Sequence, residues 1–239
     1  MSAGTAGEQA QGIVPERRGL SDVIYGALRK RIVSLAYHPG TMIFENVVAA
    51  EFGVSRTPVR QAFFRLAREE LLLVLPQRGA RVSQLSIAKV KEAQAVREAL
   101  EIAAFADVAR QWDEDAPVFR RAAADMLACI AAQKAAVARG DYITFVALDE
   151  DYHNLVLRLD GNATLMAIVN DVRAHLTRLR YLELQEAHHE AEAIVYHEQI
   201  LEALRAGDVR ATAETLRAHL KRLEGFREQL FRKYEGVFV

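Results

Sequence analysis

Apolar residues recur at helical spacing in three short stretches near the N-terminus. These predicted helices cover residues 21–36, 45–52 and 56–70. Gly53 follows the second stretch, where glycine commonly ends a helix, and Ser55 precedes the third, where a serine side chain can cap the first turn. The third stretch has one apolar face, formed by Val59, Ala62, Phe63 and Leu66. Two short helices joined by a three-residue turn predict a helix-turn-helix.

The pattern changes after residue 70. Two β-strands are predicted, at residues 71–75 and 80–82. A β-hairpin after a helix-turn-helix forms a wing, and Arg78 in its turn suits a narrow, electronegative minor groove. Arg56, Thr57 and Arg60 lie off the apolar face of the third helix, where they are able to contact bases or phosphates. Arginines alone more often indicate a solvated helix face, but the cap, turn, stripe and hairpin in this order favour DNA binding.

From residue 87 onward, helical periodicity continues almost without a break. Five interruptions divide it, at residues 113–117, 140–141, 160–162, 187–189 and 206–208. Six helices packed as an antiparallel bundle are therefore predicted, a fold in which inward-facing side chains can form one site. The predicted fold class is mainly α, with an N-terminal winged helix-turn-helix and a C-terminal all-helical antiparallel bundle.

Four polar residues lie on apolar stripes of this predicted bundle. Asp149 and His153 share one stripe, and His197 and His219 lie on two others. Burying such groups is costly unless each finds a partner. His197 lies ten residues before Gly207 and His219 twelve after it, so an antiparallel hairpin places the two histidines nearly level. One carboxylate and three imidazoles suit Zn²⁺, Ni²⁺ or Mn²⁺ and leave coordination positions for water or a ligand carboxylate.

Composition and charge limit the class of protein. The chain has 239 residues, of which 51% are hydrophobic and 26% charged, and it lacks an apolar run long enough to span a membrane. Its single cysteine, Cys129, cannot form an intrachain disulfide, and residues 1–18 lack a signal-peptide core, so a cytoplasmic location is expected. The net charge of −1 argues against nucleic-acid binding, but residues 1–86 carry +4 and residues 87–239 carry −5. The neutral total therefore conceals a basic and an acidic segment.

Three N-terminal segments resemble the winged helix-turn-helix of GntR-family repressors. They are Pro39-Gly40-Thr41, Phe52-Gly53-Val54-Ser55-Arg56-Thr57-Pro58-Val59-Arg60-Gln61-Ala62 and Arg78-Gly79-Ala80-Arg81-Val82. The resemblance implies contacts with bases or phosphates from Ser55, Arg56, Thr57, Arg60, Arg78 and Gly79. Relatives usually have Gly-Leu after the recognition helix, whereas this chain has Glu70-Leu71, so a different helix-to-strand turn is expected.

The C-terminal part resembles the FCD ligand-binding domain of FadR-like GntR regulators. The matching segments are Arg97-Glu98-Ala99-Leu100-Glu101, Leu148-Asp149-Glu150-Asp151-Tyr152-His153, Gly161-Asn162, His197-Glu198-Gln199-Ile200 and Arg217-Ala218-His219-Leu220. The resemblance implies metal ligands at Asp149, His153, His197 and His219. It also implies that Arg97 receives an effector carboxylate, the alternative being a surface salt bridge with Glu101 four residues later. His175, beside an apolar stripe, is predicted to line the pocket. Six helices indicate the VanR type of this domain.

Two other functions stay open at this point. Residues 150–153 and 186–189 both fit the Glu-x-x-His motif of di-iron bundles, so a metal-dependent helical-bundle enzyme is the alternative. Glu150 lies about 100° around the helix from Asp149, and the second motif falls where a helix ends, so both would make poor iron ligands. A metal-independent domain that binds an organic acid through Arg97 and the histidines is the other possibility.

Taken together, these features predict a transcriptional repressor and not an enzyme. We expect a flexible arm at residues 1–18, a DNA-binding domain at 19–86, and an effector-binding and dimerisation domain at 87–239. The predicted partners are a double-stranded DNA operator, a second copy of the chain and a small carboxylate-containing effector. A homodimer is expected because the two-fold symmetry of a palindromic operator requires two DNA-binding domains.

Overall fold

The computed structural model describes residues 19–76, 78–183, 189–222 and 224–239. Its helices are α1 (Leu20–Val33), α2 (Glu45–Phe52), α3 (Arg56–Arg68), α4 (Ile87–Gln111), α5 (Pro117–Ala138), α6 (Tyr142–Asp160), α7 (Ala163–Glu183), α8 (Glu190–Arg205), α9 (Val209–Lys221) and α10 (Glu224–Lys233). Its strands are β1 (Met42–Ile43), β2 (Leu72–Leu75) and β3 (Gly79–Val82). The predicted arm at residues 1–18 lies outside the described residues, as does Gln77 in the wing.

The N-terminal elements form a winged helix-turn-helix. Gly53 has a φ of 63° after α2, the left-handed conformation that glycine adopts without strain, and α3 begins three residues later. The sheet is antiparallel with the order β1-β3-β2. Both predicted strands are confirmed within one residue. The strand β1 was not predicted, because two residues are too few to show an alternating pattern; Met42 pairs with Arg81.

The turn after α3 has a glutamate in a conformation that favours glycine. Glu70 has a φ of 57°, and the Leu71 N–H donates a hydrogen bond to the Leu66 carbonyl at 2.9 Å. Glu70 therefore takes the left-handed turn that glycine usually supplies, and the expected departure in turn geometry is absent. Such a conformation costs a non-glycine residue about 1–2 kcal/mol.

The region from residue 87 onward is an all-helical bundle. Within the described residues it contains seven helices, so the prediction of six is wrong, and the helix count no longer supports the VanR type. The additional helix, α10, packs Leu230 against Leu176 and Leu179 of α7. Apolar spacing continues across residues 216–233 and predicts one continuous helix there, in spite of Gly225 near the break.

The two regions meet along α7 and the segment that precedes α4. Ala174 of α7 packs within the apolar core of the winged helix-turn-helix. Leu85 pairs with Phe238 in a parallel bridge, and both side chains are buried. No helix in the described ranges has the length and apolar character needed to cross a bilayer.

Candidate DNA-binding surface and metal centre

The N-terminus of α3 and the wing form one exposed surface. Arg56 and Arg60 of α3 line a groove of about 470 Å³ together with Arg78 and Gly79 of the wing. Ser55 lies at the N-cap position, but its hydroxyl makes no capping hydrogen bond, so that part of the prediction is wrong. The side chains of residues 55–57 are exposed at the start of α3. Four of the six predicted DNA contacts thus line one groove, and the other two, Ser55 and Thr57, are exposed at the start of α3.

A carboxylate on α2 orients one of these arginines. The Arg60 Nε and a second guanidinium nitrogen donate to the two oxygens of Glu45 at 3.0 and 2.8 Å. The hydrogen bonds from Arg60 lower the pKa of Glu45, which stays ionised at neutral pH. Sequence reasoning missed Glu45, because an acidic residue in the first turn of a helix is common for dipole reasons alone.

The backbone around position 79 leaves no room for any residue larger than glycine. Gly79 has a φ of 90°, and a Cβ atom built there would lie 2.5 Å from the Ile43 carbonyl oxygen. A side chain cannot be accommodated without a shift of β1 relative to the wing. Gly79 therefore holds the wing against the strand that precedes α2.

Four ligand-type side chains from three helices converge in the bundle. Asp149 and His153 lie on α6, His197 on α8 and His219 on α9, and one ligand atom from each lies within 4.8 Å of the others. The Nε2 atoms of His153 and His219 are 3.1 Å apart. His197 Nε2 and Asp149 Oδ1 are 3.6 Å apart, and each is buried without a hydrogen-bond partner within the described part of the chain.

Burial and neighbouring charges hold these four groups in metal-binding protonation states. Burial lowers the pKa of His197 to about 3 and also lowers the pKa values of His153 and His219, so the imidazoles are neutral at pH 7. Burial alone would raise the pKa of Asp149, but the Arg180 guanidinium holds it well below its usual range. Neutral imidazoles and an ionised carboxylate are the forms that bind a metal ion.

Two neighbouring residues fix the orientation of the imidazole rings. His197 Nδ1 lies 2.8 Å from the Gln133 amide oxygen, which orients the Nδ1 proton away from the cluster and the Nε2 lone pair toward it. Gln133 is itself held by donating to the Leu148 carbonyl at 3.0 Å. His153 Nδ1 lies 2.7 Å from Glu101 Oε2, an ion-pair contact that lacks hydrogen-bond geometry. The donor set therefore fits a divalent ion such as Zn²⁺.

Arg97 does not contact the cluster directly, because Glu101 lies between them. Its Nε donates to Glu101 Oε1 at 2.7 Å, and both side chains are buried. The other oxygen of Glu101 contacts His153, so Arg97 reaches the metal ligands through Glu101. One terminal nitrogen of Arg97 has no hydrogen-bond partner among the described residues.

His175 does not line the predicted pocket. It lies on the side of α7 that faces the winged helix-turn-helix, in a cleft of about 600 Å³ that Glu70 and Lys89 also line. The helix α7 packs against α1 of the winged helix-turn-helix as well as against the bundle. A position beside its apolar stripe therefore does not show which of the two regions a side chain faces.

Among the described residues, Glu150 of the first Glu-x-x-His motif takes no part in a second metal site. The Glu150 carboxylate accepts a hydrogen bond from the Thr177 hydroxyl at the edge of the apolar stripe. Residues 186–188 of the other motif lie outside the described residues. In the ranges that the structure describes, the one cluster of potential ligands contains a single carboxylate.

A winged helix-turn-helix joined to a helical bundle is the arrangement of a two-domain DNA-binding regulator. Two family models match the chain, "Bacterial regulatory proteins, gntR family" over residues 20–82 and "FCD domain" over residues 92–222. Because the FCD match alone covers more than half of the sequence, this chain belongs to the GntR family of bacterial transcriptional regulators with an FCD domain. The predictions of that family and of a protein that is not an enzyme are confirmed.

Known relatives agree with this assignment. The chain is 34% identical over 202 residues to an HTH-type transcriptional regulator in an unstable DNA locus of Streptomyces ambofaciens, covering 83% of this chain and 80% of that protein. It is 29% identical over 208 residues to the transcriptional repressor RspR of Escherichia coli K12, covering 84% and 85%. The solved structure of E. coli McbR/YncC matches with a TM-score of 0.76 and 20% identity, covering 90% of this chain and 99% of that one, which shows the same fold.

Proposed function

We propose that this regulator is a homodimeric, cytoplasmic repressor whose affinity for its operator is controlled by a small organic acid bound at a divalent metal ion. Asp149, His153, His197 and His219 hold the ion, which supplies open coordination positions for a ligand carboxylate. The observation that carries the proposal is the convergence of these four buried ligand atoms in metal-binding protonation states.

The charges around the cluster favour an anionic effector. In the ion pairs that border the cluster, the two buried carboxylates of Asp149 and Glu101 contact three buried arginines, at positions 97, 173 and 180. A divalent ion adds further positive charge to a region with little access to water, so a negatively charged ligand is stabilised there. A relative from Bacillus subtilis, 30% identical over 186 residues, is named a gluconate operon transcriptional repressor, and gluconate is a small organic acid.

The exposed surface of α3 and the wing supports operator binding. Arginine is suited to bidentate contact with guanine in the major groove, and Arg56 and Arg60 lie beside the exposed N-terminus of the recognition helix. Arg78 in the wing is placed for the adjacent minor groove or a phosphate. Two copies of this surface, related by two-fold symmetry, match a palindromic site.

The test combines metal analysis with DNA binding. Purified protein is dialysed against metal-free buffer and analysed by mass spectrometry, and operator DNA is selected from a random-sequence library. We expect one divalent ion per chain in the wild type, none in His197→Ala, and retained binding of the selected DNA by effector-free His197→Ala. The matched control is His38→Ala, which removes an exposed histidine and should keep the ion.

Three results would overturn the proposal in different ways. Two irons per chain would favour the enzyme alternative. Organic-acid binding that persists after complete loss of metal, measured by thermal-shift screening, would favour the metal-independent effector domain. Loss of folding in His197→Ala would indicate that the cluster has a structural role.

A further inference from the structure

The C-terminal end of the recognition helix is attached to the helical bundle. Glu69, the C-cap residue of α3, accepts a hydrogen bond from Arg29 Nε at 2.8 Å and another from the Tyr25 hydroxyl. A terminal nitrogen of the same Arg29 donates to the backbone carbonyl of Asn170 on α7 at 3.0 Å. Arg29 therefore joins the end of the helix that reads DNA to the helix that borders the metal cluster.

The connection continues from α7 to the metal ligands. One terminal nitrogen of Arg173 lies 3.2 Å from the Asn170 side-chain oxygen, and the other donates to Glu101 Oε1 at 3.0 Å. Glu101 Oε2 lies 2.7 Å from His153 Nδ1. We call the series Glu101, Arg173, Asn170, Arg29 and Glu69 the interdomain path.

The members nearest the metal have little freedom to change partners. Glu101 is completely buried and Arg173 is 3% exposed, so water cannot replace a partner that moves away. Leaving a buried charge unpaired is strongly destabilising, so a displacement of Glu101 or Arg173 favours a matching displacement of the groups that pair with it. Besides Asn170, Arg173 donates to Asn154 Oδ1 of α6 at 2.9 Å, and Glu101 also accepts from Arg97. Arg29 and Glu69 are less buried, with side chains 27% and 13% exposed, yet still largely shielded.

Another charged contact at the end of α3 is weaker. Lys89 of α4 lies 3.1 Å from Glu70, but the two side chains are 41% and 56% exposed. Exposed pairs of this kind contribute little to stability and are screened by salt. The interdomain path is thus better shielded from water than the contact between Lys89 and Glu70.

We infer that the interdomain path transmits occupancy of the metal centre to the C-terminal end of the recognition helix, and that Arg29 is the positioning residue that carries it across the domain boundary. The inference rests on the proposed function, because it requires a metal ion at the four ligands. Metal binding changes the electrostatic environment of His153 and its partner Glu101, and the path couples that change to Glu69. Coupling of this kind is reciprocal, so operator binding must change metal affinity by the same factor.

The experiment is a thermodynamic cycle on the full chain with Zn²⁺ as the probe. Operator affinity is measured by fluorescence anisotropy for metal-free and Zn²⁺-loaded protein, in the wild type, in Arg29→Met and in Arg31→Met. Arg31 is the matched control, because it pairs with Glu51 and Tyr37 within the winged helix-turn-helix. In the wild type and in Arg31→Met, we expect the operator affinities of the metal-free and Zn²⁺-loaded proteins to differ by at least about fivefold. In Arg29→Met, we expect the two affinities to be nearly equal.

A second readout separates coupling from mere stabilisation. Hydrogen exchange of the backbone amides at residues 66–71 should change on Zn²⁺ loading in the wild type and in Arg31→Met, but not in Arg29→Met. If Arg29→Met does not fold, Glu69→Gln replaces it in both measurements, because it weakens the same ion pair while keeping a hydrogen-bond acceptor. The inference is overturned if Zn²⁺ does not change the operator affinity of the wild type. It is also overturned if Zn²⁺ changes the operator affinity of the Arg29 or Glu69 variant as much as that of the wild type. Stoichiometric Zn²⁺ binding in the same samples would leave the metal centre of the proposed function intact, whereas absence of Zn²⁺ binding would overturn both.

Discussion

Replacing Gln133 with methionine should weaken metal binding without removing a metal ligand. The change keeps the length of the side chain but removes the amide oxygen that lies 2.8 Å from His197 Nδ1. The Leu148 carbonyl retains a partner, because Cys129 Sγ also lies 3.2 Å from it. The buried Nδ1–H of His197 is therefore the one group left without an acceptor, at a cost of about 1–3 kcal/mol in unfolding free energy.

The loss of orientation should lower metal affinity as well. Replacing a residue that holds a ligating histidine in one tautomer typically lowers metal affinity by about 10–100-fold, which corresponds to about 1.4–2.8 kcal/mol. A competition titration of Zn²⁺ against a chromophoric chelator at fixed pH measures this change, and circular dichroism confirms that the variant folds. The control Arg121→Met introduces the same side chain at an exposed position of α5 and should leave the affinity unchanged.

A conservative substitution at the same position distinguishes orientation from packing. Gln133→Glu keeps an acceptor for His197 Nδ1–H and should retain most of the affinity that Gln133→Met loses. The reasoning would be refuted by wild-type Zn²⁺ affinity in folded Gln133→Met, and equally by matching losses in the methionine and glutamate variants.

Three further predictions concern the DNA-binding surface, the wing and the cysteine. Arg56→Ala should weaken binding of the selected operator by about 1–3 kcal/mol if Arg56 contacts a guanine, measured by anisotropy; unchanged affinity would remove it from the interface. Gly79→Ala should lower the unfolding free energy by roughly 1–3 kcal/mol, because its Cβ atom would lie 2.5 Å from the Ile43 carbonyl oxygen, and a denaturant midpoint equal to that of the wild type would contradict this. Burial raises the pKa of Cys129 to about 11, so maleimide should label the native protein slowly at pH 7 and the unfolded protein rapidly; fast native labelling would show that the thiol is accessible and ionised.

The N-terminal fold could be predicted because its signals are local. Caps, glycines and apolar spacing lie within a few residues of the elements that they define, and α2 starts and ends where predicted. The end of α1 differs for an instructive reason. The helix stops at Val33, whereas Leu35, which continues the apolar spacing, has a φ of 60° and packs beside Leu85 instead. Apolar spacing predicts burial correctly there, but not the backbone conformation that achieves it.

The buried cluster of Asp149, His153, His197 and His219 could be predicted because histidine and aspartate are unusual on an apolar stripe. Their partners could not. Gln133 lies 64 residues from His197, and Arg180 lies 31 residues from Asp149, so contact between them depends on how separate helices pack. Gln133 itself lies on the apolar stripe of α5, three residues after Ile130 and seven after Met126, so the local pattern indicates that it is buried but not which side chain it contacts.

The α7 helix shows what such partners contribute. It buries Arg173, Arg178 and Arg180, although arginine is among the residues most rarely buried. Apolar side chains of similar volume at these positions would satisfy packing and would often be neutral or stabilising. They would leave Asp149 without its guanidinium partner and would remove one of the two that hold Glu101. Asp149 is a proposed metal ligand, and Glu101 contacts His153. The buried charges of Arg173 and Arg180 are therefore better explained by the chemistry of the site than by the stability of the bundle.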